Sequence, residues 1–221
     1  MPKLRIVYSY PEPNYVVRWT RWICLTAAAV CFLWGGLVWL DQYRYQAEAE
    51  ESFEDRQVGA TPEQPARKAV PLAKLEIARL HVSGYVQDGF DNGTLRRAIG
   101  HSPRSAKPGE RGNIVLAAHR DTFFAGLRNA RVGDVVDLRS SSGALYRYRV
   151  TRILVVEPKD DWVMKSSANR NLLTLITCYP FHFIGSAPKR FVVQAQPVSP
   201  LELATTSVRT GFRKRSEINA R

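Results

Sequence analysis

Between Trp22 and Leu40 the chain reads WICLTAAAVCFLWGGLVWL, nineteen residues without a charge. At about 1.5 Å per residue such a helix just crosses a hydrocarbon core of about 30 Å. Trp19 and Trp22 at one end and Trp39 and Tyr43 at the other stand where an aromatic belt belongs. A buried core helix rarely runs this long without a polar face, so residues 22–40 are expected to be a transmembrane anchor in a lipid bilayer.

Flanking charge sets the expected orientation. Lys3, Arg5, Arg18 and Arg21 precede the span, whereas Asp41, Glu48, Glu50, Glu51, Glu54 and Asp55 follow it against only Arg44 and Arg56. The positive-inside rule then puts residues 1–21 in the cytoplasm and everything beyond Leu40 outside the plasma membrane, a single-pass topology. Ala47-Glu48-Ala49 offers an A-x-A-like cleavage site, but the apolar run is longer than the about 7–15 residues of a signal-peptide core. An uncleaved anchor is the expectation.

Of three cysteines, Cys24 and Cys31 fall inside the span. Cys178 is left alone in the exported part, so it has no partner there for a disulfide. A single exported thiol is an intermolecular staple, an inert buried residue or a nucleophile, and its neighbourhood has to decide.

Residues 41–70 read as a stalk and linker: Gln42–Arg56 has the Ala/Glu/Gln/Arg composition of an exposed helix, and Gly59, Pro62 and Pro65 mark a flexible stretch from Val58 to Val70. Residues 71–197 are expected to fold as one domain, and residues 198–221 form a basic polar tail. The domain shows short β-type runs broken by Gly, Pro, Asp and Ser: Lys74–Arg79, Asn113–Ala118, Asp134–Arg139, Leu145–Val156, Asn171–Thr177 and Arg190–Gln196. Helix is expected only at Thr94–Ile99 and Asp121–Leu127. Many short strands with little helix between them favour a mainly β barrel over a doubly wound sheet.

The net charge of +12 invites a nucleic-acid reading. The basic residues, however, are scattered singly along strand-like segments, as in Tyr146-Arg147-Tyr148-Arg149, with no clustered stripe and no recognition motif. No nucleic-acid partner is expected.

Three polar side chains stand at the ends of apolar runs. His119 follows Ile114-Val115-Leu116-Ala117-Ala118, Cys178 follows Leu172–Thr177, and Arg190 opens Phe191-Val192-Val193. A strand end is a rigid mount for catalytic groups. A thiolate can attack a peptide carbonyl and form an acyl-enzyme, an imidazole can hold the proton and return it to the leaving amine, and a guanidinium can donate to a developing oxyanion or to the substrate backbone. The Tyr179 backbone N–H offers a second donor. His182, four residues from Cys178, competes with His119 but stands between Phe181 and Phe183 in an apolar loop, while His81 and His101 lie in turn-like contexts. No Cys or second His sits at metal-ligand spacing, so neither a metal nor another cofactor is expected.

Thr174-Leu175-Ile176-Thr177-Cys178 resembles the TLxTC signature of the sortase family. His119-Arg120-Asp121-Thr122-Phe123-Phe124, Tyr179-Pro180-Phe181 and Ser186–Phe191 are similar to its class D branch, although Ala118 stands where that branch often has Gly. The resemblance covers roughly Leu72 to Ala195. It implies an eight-stranded β-barrel and a Cys–His–Arg site, with Cys178 as nucleophile, His119 as proton carrier, Arg190 as clamp and Thr177 shaping the site. It also implies cleavage of an LPxTx-like sorting motif on secreted or surface proteins through a thioester, resolved by an amine acceptor on the cell wall or on another surface protein. A tethered cysteine peptidase that hydrolyses its acyl-enzyme needs the same three groups, and a non-catalytic surface-binding module would leave Cys178 unexplained.

Overall fold

The computed structural model describes residues 15–57, 70–165 and 171–198. The chain divides into two compact units, one ending at Tyr43 and the other beginning at Arg44. Of the expected linker at 58–70 and the expected tail at 198–221, all but Val70 and Val198 lie outside the described residues.

Helix α1 spans Tyr15–Gln57. Among the described residues it is one helix long and apolar enough to cross a membrane, and none of its residues from Tyr15 to Asp41 is buried. Trp39 and Tyr43 stack with ring centroids 5.6 Å apart. Beyond Arg44 the helix is not wholly exposed as expected: Ala49 and Phe53 are buried against Tyr85 of the barrel, with Tyr45 packed alongside. Tyr45, Ala49 and Phe53 recur every four residues, a stripe too narrow to stand out among the glutamates.

The second unit is a closed eight-stranded barrel, ordered β1-β2-β3-β4-β7-β8-β6-β5. The strands are β1 Ala73–Ile77, β2 Val82–Asp88, β3 Ile99–His101, β4 Asn113–Ala117, β5 Val135–Ser140, β6 Leu145–Val156, β7 Leu172–Tyr179 and β8 Lys189–Pro197. The β2–β3 and β4–β7 pairs are parallel and the others antiparallel. Closure removes the free edges that an open sheet would expose. Alternate residues fill the interior: Leu75 and Ile77 of β1, Ile114 and Leu116 of β4, Leu138 of β5, Leu173 and Leu175 of β7 and Val193 of β8 are all fully buried there.

Six strands follow the alternation in the sequence; β2 and β3 do not. Gly84 interrupts the β2 pattern because Phe123 lies on it: a Cβ there would stand 2.9 Å from the Phe123 ring. Gly100 in β3 is crossed by the backbone, and a Cβ would meet the Gly89 carbonyl oxygen at 2.3 Å. Both positions exclude larger side chains for packing reasons that composition alone reads as breaks.

Two helical expectations shift. Helix α2 spans Asn92–Arg97, because Asp91 caps it by accepting from the Thr94 backbone N–H (3.0 Å) and hydroxyl (2.6 Å). Asp121–Leu127 is not an α-helix; turns lead there into a 3-10 turn at Ala125–Asn129. His101 is not in a turn but is a fully buried residue of β3, with Nδ1 2.7 Å from Asp88 Oδ1 and Nε2 3.0 Å from the Ala106 carbonyl oxygen.

Candidate active site

Strands β4 and β7 run parallel, with Val115 opposite Thr174 and Ala117 opposite Ile176. The pairing continues one residue past the end of β4. The Ala118 N–H donates to the Ile176 carbonyl at 3.3 Å, and the Thr177 hydroxyl donates to the Ala118 carbonyl at 2.8 Å. The next residue on each chain is His119 and Cys178. Strand β8 lies antiparallel on the other side of β7, with Arg190 directly opposite Cys178. Three neighbouring strands thus deliver imidazole, thiol and guanidinium to one rim of the barrel.

Pleating sends these groups outward. Leu173, Leu175 and Thr177 are buried, while Ile176 and Cys178 occupy the other face; Val192 and Arg190 do the same on β8. His119, Cys178 and Arg190, together with Ile176 and Val192, line one cavity of about 370 Å³. A volume of this size is within the range of ligand-binding clefts.

The remaining walls come from the start of α2 with the loop before it and from the end of β6 with the connection after it. Phe90, Asn92 and Leu95 close one side, from the start of α2 and the loop before it. Val156 at the end of β6, with Glu157, Pro158, Asp160, Val163 and Met164 on the β6–β7 connection, supplies the other. That connection is pinned from beneath. Asn113 Nδ2 donates to the Val163 carbonyl at 3.1 Å, and the Thr174 hydroxyl donates to Asn113 Oδ1 at 2.7 Å. Asn113 and Thr174 are both fully buried, so each polar atom has to be paired to be tolerated. The signal for them was present in the sequence as polar residues inside apolar strands.

Arg190 Nη1 donates to the carbonyls of Ala187 (3.2 Å) and Lys189 (3.0 Å). Among the described residues its Nε and Nη2 make no hydrogen bond, which leaves guanidinium donors for a ligand in the cavity. Cys178 is a free, half-buried thiol. Thr177 is buried beneath the rim, and Tyr179 stacks on Phe191 at 6.1 Å, beside the Phe181–Phe191 pair at 5.2 Å. The Tyr179–Pro180 peptide is cis.

His182 is exposed on the β7–β8 connection and does not line the cavity. Phe124 belongs to the barrel core, Phe123 and Phe181 pack against that core, and Phe183 is 44% exposed. None of these four rings lines the cavity; its aromatic wall is Phe90. Among the described residues no three His, Cys, Asp or Glu side chains converge closely enough to hold a metal ion. The cleft brings a thiol, an imidazole and a guanidinium together among largely apolar walls.

A family model for the sortase domain matches residues 75–198. Sortase D of Bacillus subtilis (strain 168) is 33% identical over 125 residues, which cover 57% of this chain and 63% of that protein. The chain thus matches less than two thirds of that relative's length. Among solved structures, a Clostridium perfringens sortase D5 transpeptidase superposes with a TM-score of 0.58 at 22% identity, covering 72% of this chain and 98% of that one. Sortase C-1 of Actinomyces oris gives 0.54 at 26% identity, covering 72% and 99%. With the family model spanning more than half of the sequence and the same barrel closed around it, the chain belongs to the sortase family.

Proposed function

We propose that this chain is a membrane-anchored cysteine transpeptidase in which Cys178 is the nucleophile, His119 the proton carrier and Arg190 the clamp. The observation that carries the reading is the meeting of these three side chains in one cavity at the ends of β4, β7 and β8. The Cys178 thiolate attacks the scissile carbonyl of a sorting peptide bound along the cleft. The C–N bond breaks, the leaving amine takes its proton from His119, and a thioester remains on Cys178. An acceptor amine then attacks the thioester carbonyl: a C–N bond forms, the C–S bond breaks, and the amine proton passes to His119. The unused Arg190 donors face the substrate carbonyl oxygen or the peptide backbone, where charge-assisted bonds are strongest.

The substrate in this reading is an LPxTx-like motif on a secreted or surface protein, and the acceptor is an amine of the cell wall or of another surface protein. The apolar span and its flanking charges support a single-pass plasma-membrane anchor with the barrel outside. Mass spectrometry of products from a pentapeptide library, with and without an added amine, tests the assignment. Amide product that depends on the amine is expected. Free acid alone across all amines and wall fragments would establish a hydrolytic peptidase instead.

A further inference from the structure

A second cavity, of about 300 Å³, lies at the end of the barrel remote from the thiol. It is bounded by Gly112 just before β4, Leu145 at the start of β6, Asn171 just before β7 and Pro197 at the end of β8. His119, Val156, Cys178 and Arg190 sit at the opposite ends of those same strands. From Leu172 to Cys178 along β7 is about 20 Å, at about 3.3 Å per residue. The two cavities share no lining residue and are separate sites.

Tyr148 marks this cavity as more than a gap between loops. It is 5% exposed and lines the cavity, and its hydroxyl makes no hydrogen bond among the described residues. Burial pushes the phenol up to about 12, with Tyr146 adding to the rise, so the hydroxyl keeps its proton and can donate at any physiological pH. A buried hydroxyl without a partner is a cost that the fold alone does not explain. Tyr146, two residues along the same face of β6, also lines the cavity and makes no hydrogen bond among the described residues. Its hydroxyl occupies the space that a side chain at Gly109 would take, and Gly109 has φ +95°. Two further polar groups have capacity left. Glu110 accepts from the Lys107 backbone N–H at 2.8 Å through Oε2 only, and Asn171 accepts from the Gly112 N–H at 3.2 Å through Oδ1, which leaves its amide nitrogen.

These groups describe a neutral ligand rich in hydroxyls. Phenols that donate and accept, an amide donor and a carboxylate acceptor stand among carbon surface from Leu145, Pro197 and the two tyrosines. A sugar ring has that pattern, with apolar C–H faces and a rim of hydroxyls. A phosphate would need the Arg147 guanidinium, which already donates to Asp137 through Nε at 2.7 Å and Nη2 at 2.8 Å, and it would face the Glu110 carboxylate. An extended peptide would need a strand edge to pair with, and the closed barrel offers no free one. We propose that this cavity binds a sugar ring of a glycan through the Tyr146 and Tyr148 hydroxyls, the Glu110 carboxylate and the Asn171 amide. The site uses neither Cys178 nor His119, so it stands apart from the transpeptidase reading above.

The experiment titrates the full chain, in a detergent without a sugar headgroup, with chitotriose and separately with maltotriose at millimolar concentration. Saturation transfer from protein to sugar protons and the heat of binding are the readouts. Saturable binding of at least one trisaccharide is expected. Tyr148→Phe removes one oxygen and keeps the ring; it is expected to weaken that binding about tenfold, the scale of one lost hydrogen bond. Its melting temperature should not fall, because the hydroxyl it removes has no partner in the fold. A tyrosine kept for the fold would show the reverse, a lower melting temperature with binding unchanged, and that result would overturn the proposal. Tyr146→Phe and Glu110→Gln should each weaken binding in the same direction and serve as the test should Tyr148→Phe fail to fold. Failure of both trisaccharides to bind the wild type, or equal affinity across the wild type and all three variants, would also overturn it. Because binding is read directly, either failure leaves the transpeptidase reading where it stood.

Discussion

Thr177 gives its hydroxyl proton to the carbonyl oxygen of Ala118 at 2.8 Å, joining the residue before the thiol to the residue before the imidazole. Both partners are buried. The bond extends the parallel β4–β7 ladder past its last backbone pair, one residue before His119 and Cys178. Thr177→Val keeps the shape and removes the donor, leaving a buried carbonyl underserved at a cost of about 1–3 kcal/mol. The expected outcome is a lower melting temperature together with slower acylation, read by trapping the thioester at short times. Thr177→Ser should recover most of the rate, which a purely steric role for the methyl group would not allow.

The four polar side chains weighed in the sequence separate by where they sit. Cys178, His119 and Arg190 line the cavity and His182 does not. Cys178→Ala should abolish thioester formation, because the other two cysteines lie in the apolar part of α1. His119→Ala and Arg190→Ala should each reduce turnover by about a hundredfold or more while the barrel stays folded. His182→Ala should remain within a few-fold of wild type. Equal damage from the His119 and His182 variants, measured as kcat/KM on one peptide, would overturn the choice of proton carrier.

The barrel was legible in the sequence wherever strands alternate, and the three cavity residues were legible because each ends such a strand. What escaped had particular causes. Gly84 and Gly100 read as breaks but answer to Phe123 and to the Gly89 carbonyl, contacts made from distant segments. His101 looked like a turn residue because β3 is only three residues long. Phe123, Phe124 and Phe181, near His119 and Cys178 in sequence, pack in or against the core instead; they lie in the turns after β4 and β7, whose path sequence distance does not report. The Asn113–Thr174 pair under the β6–β7 connection depends on register between strands far apart in the chain.

Asp134 offers a pH test of stability that is independent of catalysis. Arg79 donates to both of its carboxylate oxygens through Nε and Nη2, and the Arg131 backbone N–H adds a bond at 2.8 Å. The hydrogen bonds from Arg79 hold the Asp134 carboxyl below the usual aspartate range, against the opposing effect of its burial. A folded-state pKa below the unfolded one stabilises the fold above about pH 4, and that stability is lost as pH falls through the depressed value. Asp134→Asn should therefore melt below wild type at pH 7. The gap between the two melting curves should narrow steadily below pH 4 and close in stronger acid. A gap that stays constant from pH 7 to pH 2 would show that the carboxylate charge contributes nothing.

The last turns of α1, from Tyr45 onward, pack on the outside of the barrel. Phe53 is 2% exposed and meets the Tyr85 ring edge-on, with centroids 5.5 Å apart. Around it, Lys74 pairs with Glu50 at 3.3 Å, Gln46 donates to the Arg97 carbonyl at 2.5 Å, and the Lys74 ammonium lies 5.1 Å from the Tyr85 centroid. The polar contacts are largely solvent-exposed and contribute little each, so the apolar pair should dominate. Truncating a buried phenylalanine costs about 3–5 kcal/mol in a full core, and this small satellite cluster should lose less. Because the cluster is separate from the barrel core, Phe53→Ala should release the helix without melting the barrel. In detergent-solubilised full-length protein, amide exchange should rise across residues 45–57 and at Tyr85. Exchange in β4, β7 and β8 should stay at the wild-type level. Phe53→Leu should restore most of the protection, since it refills the site with apolar volume. Unchanged exchange across residues 45–57 in Phe53→Ala would mean that the polar contacts alone hold the helix.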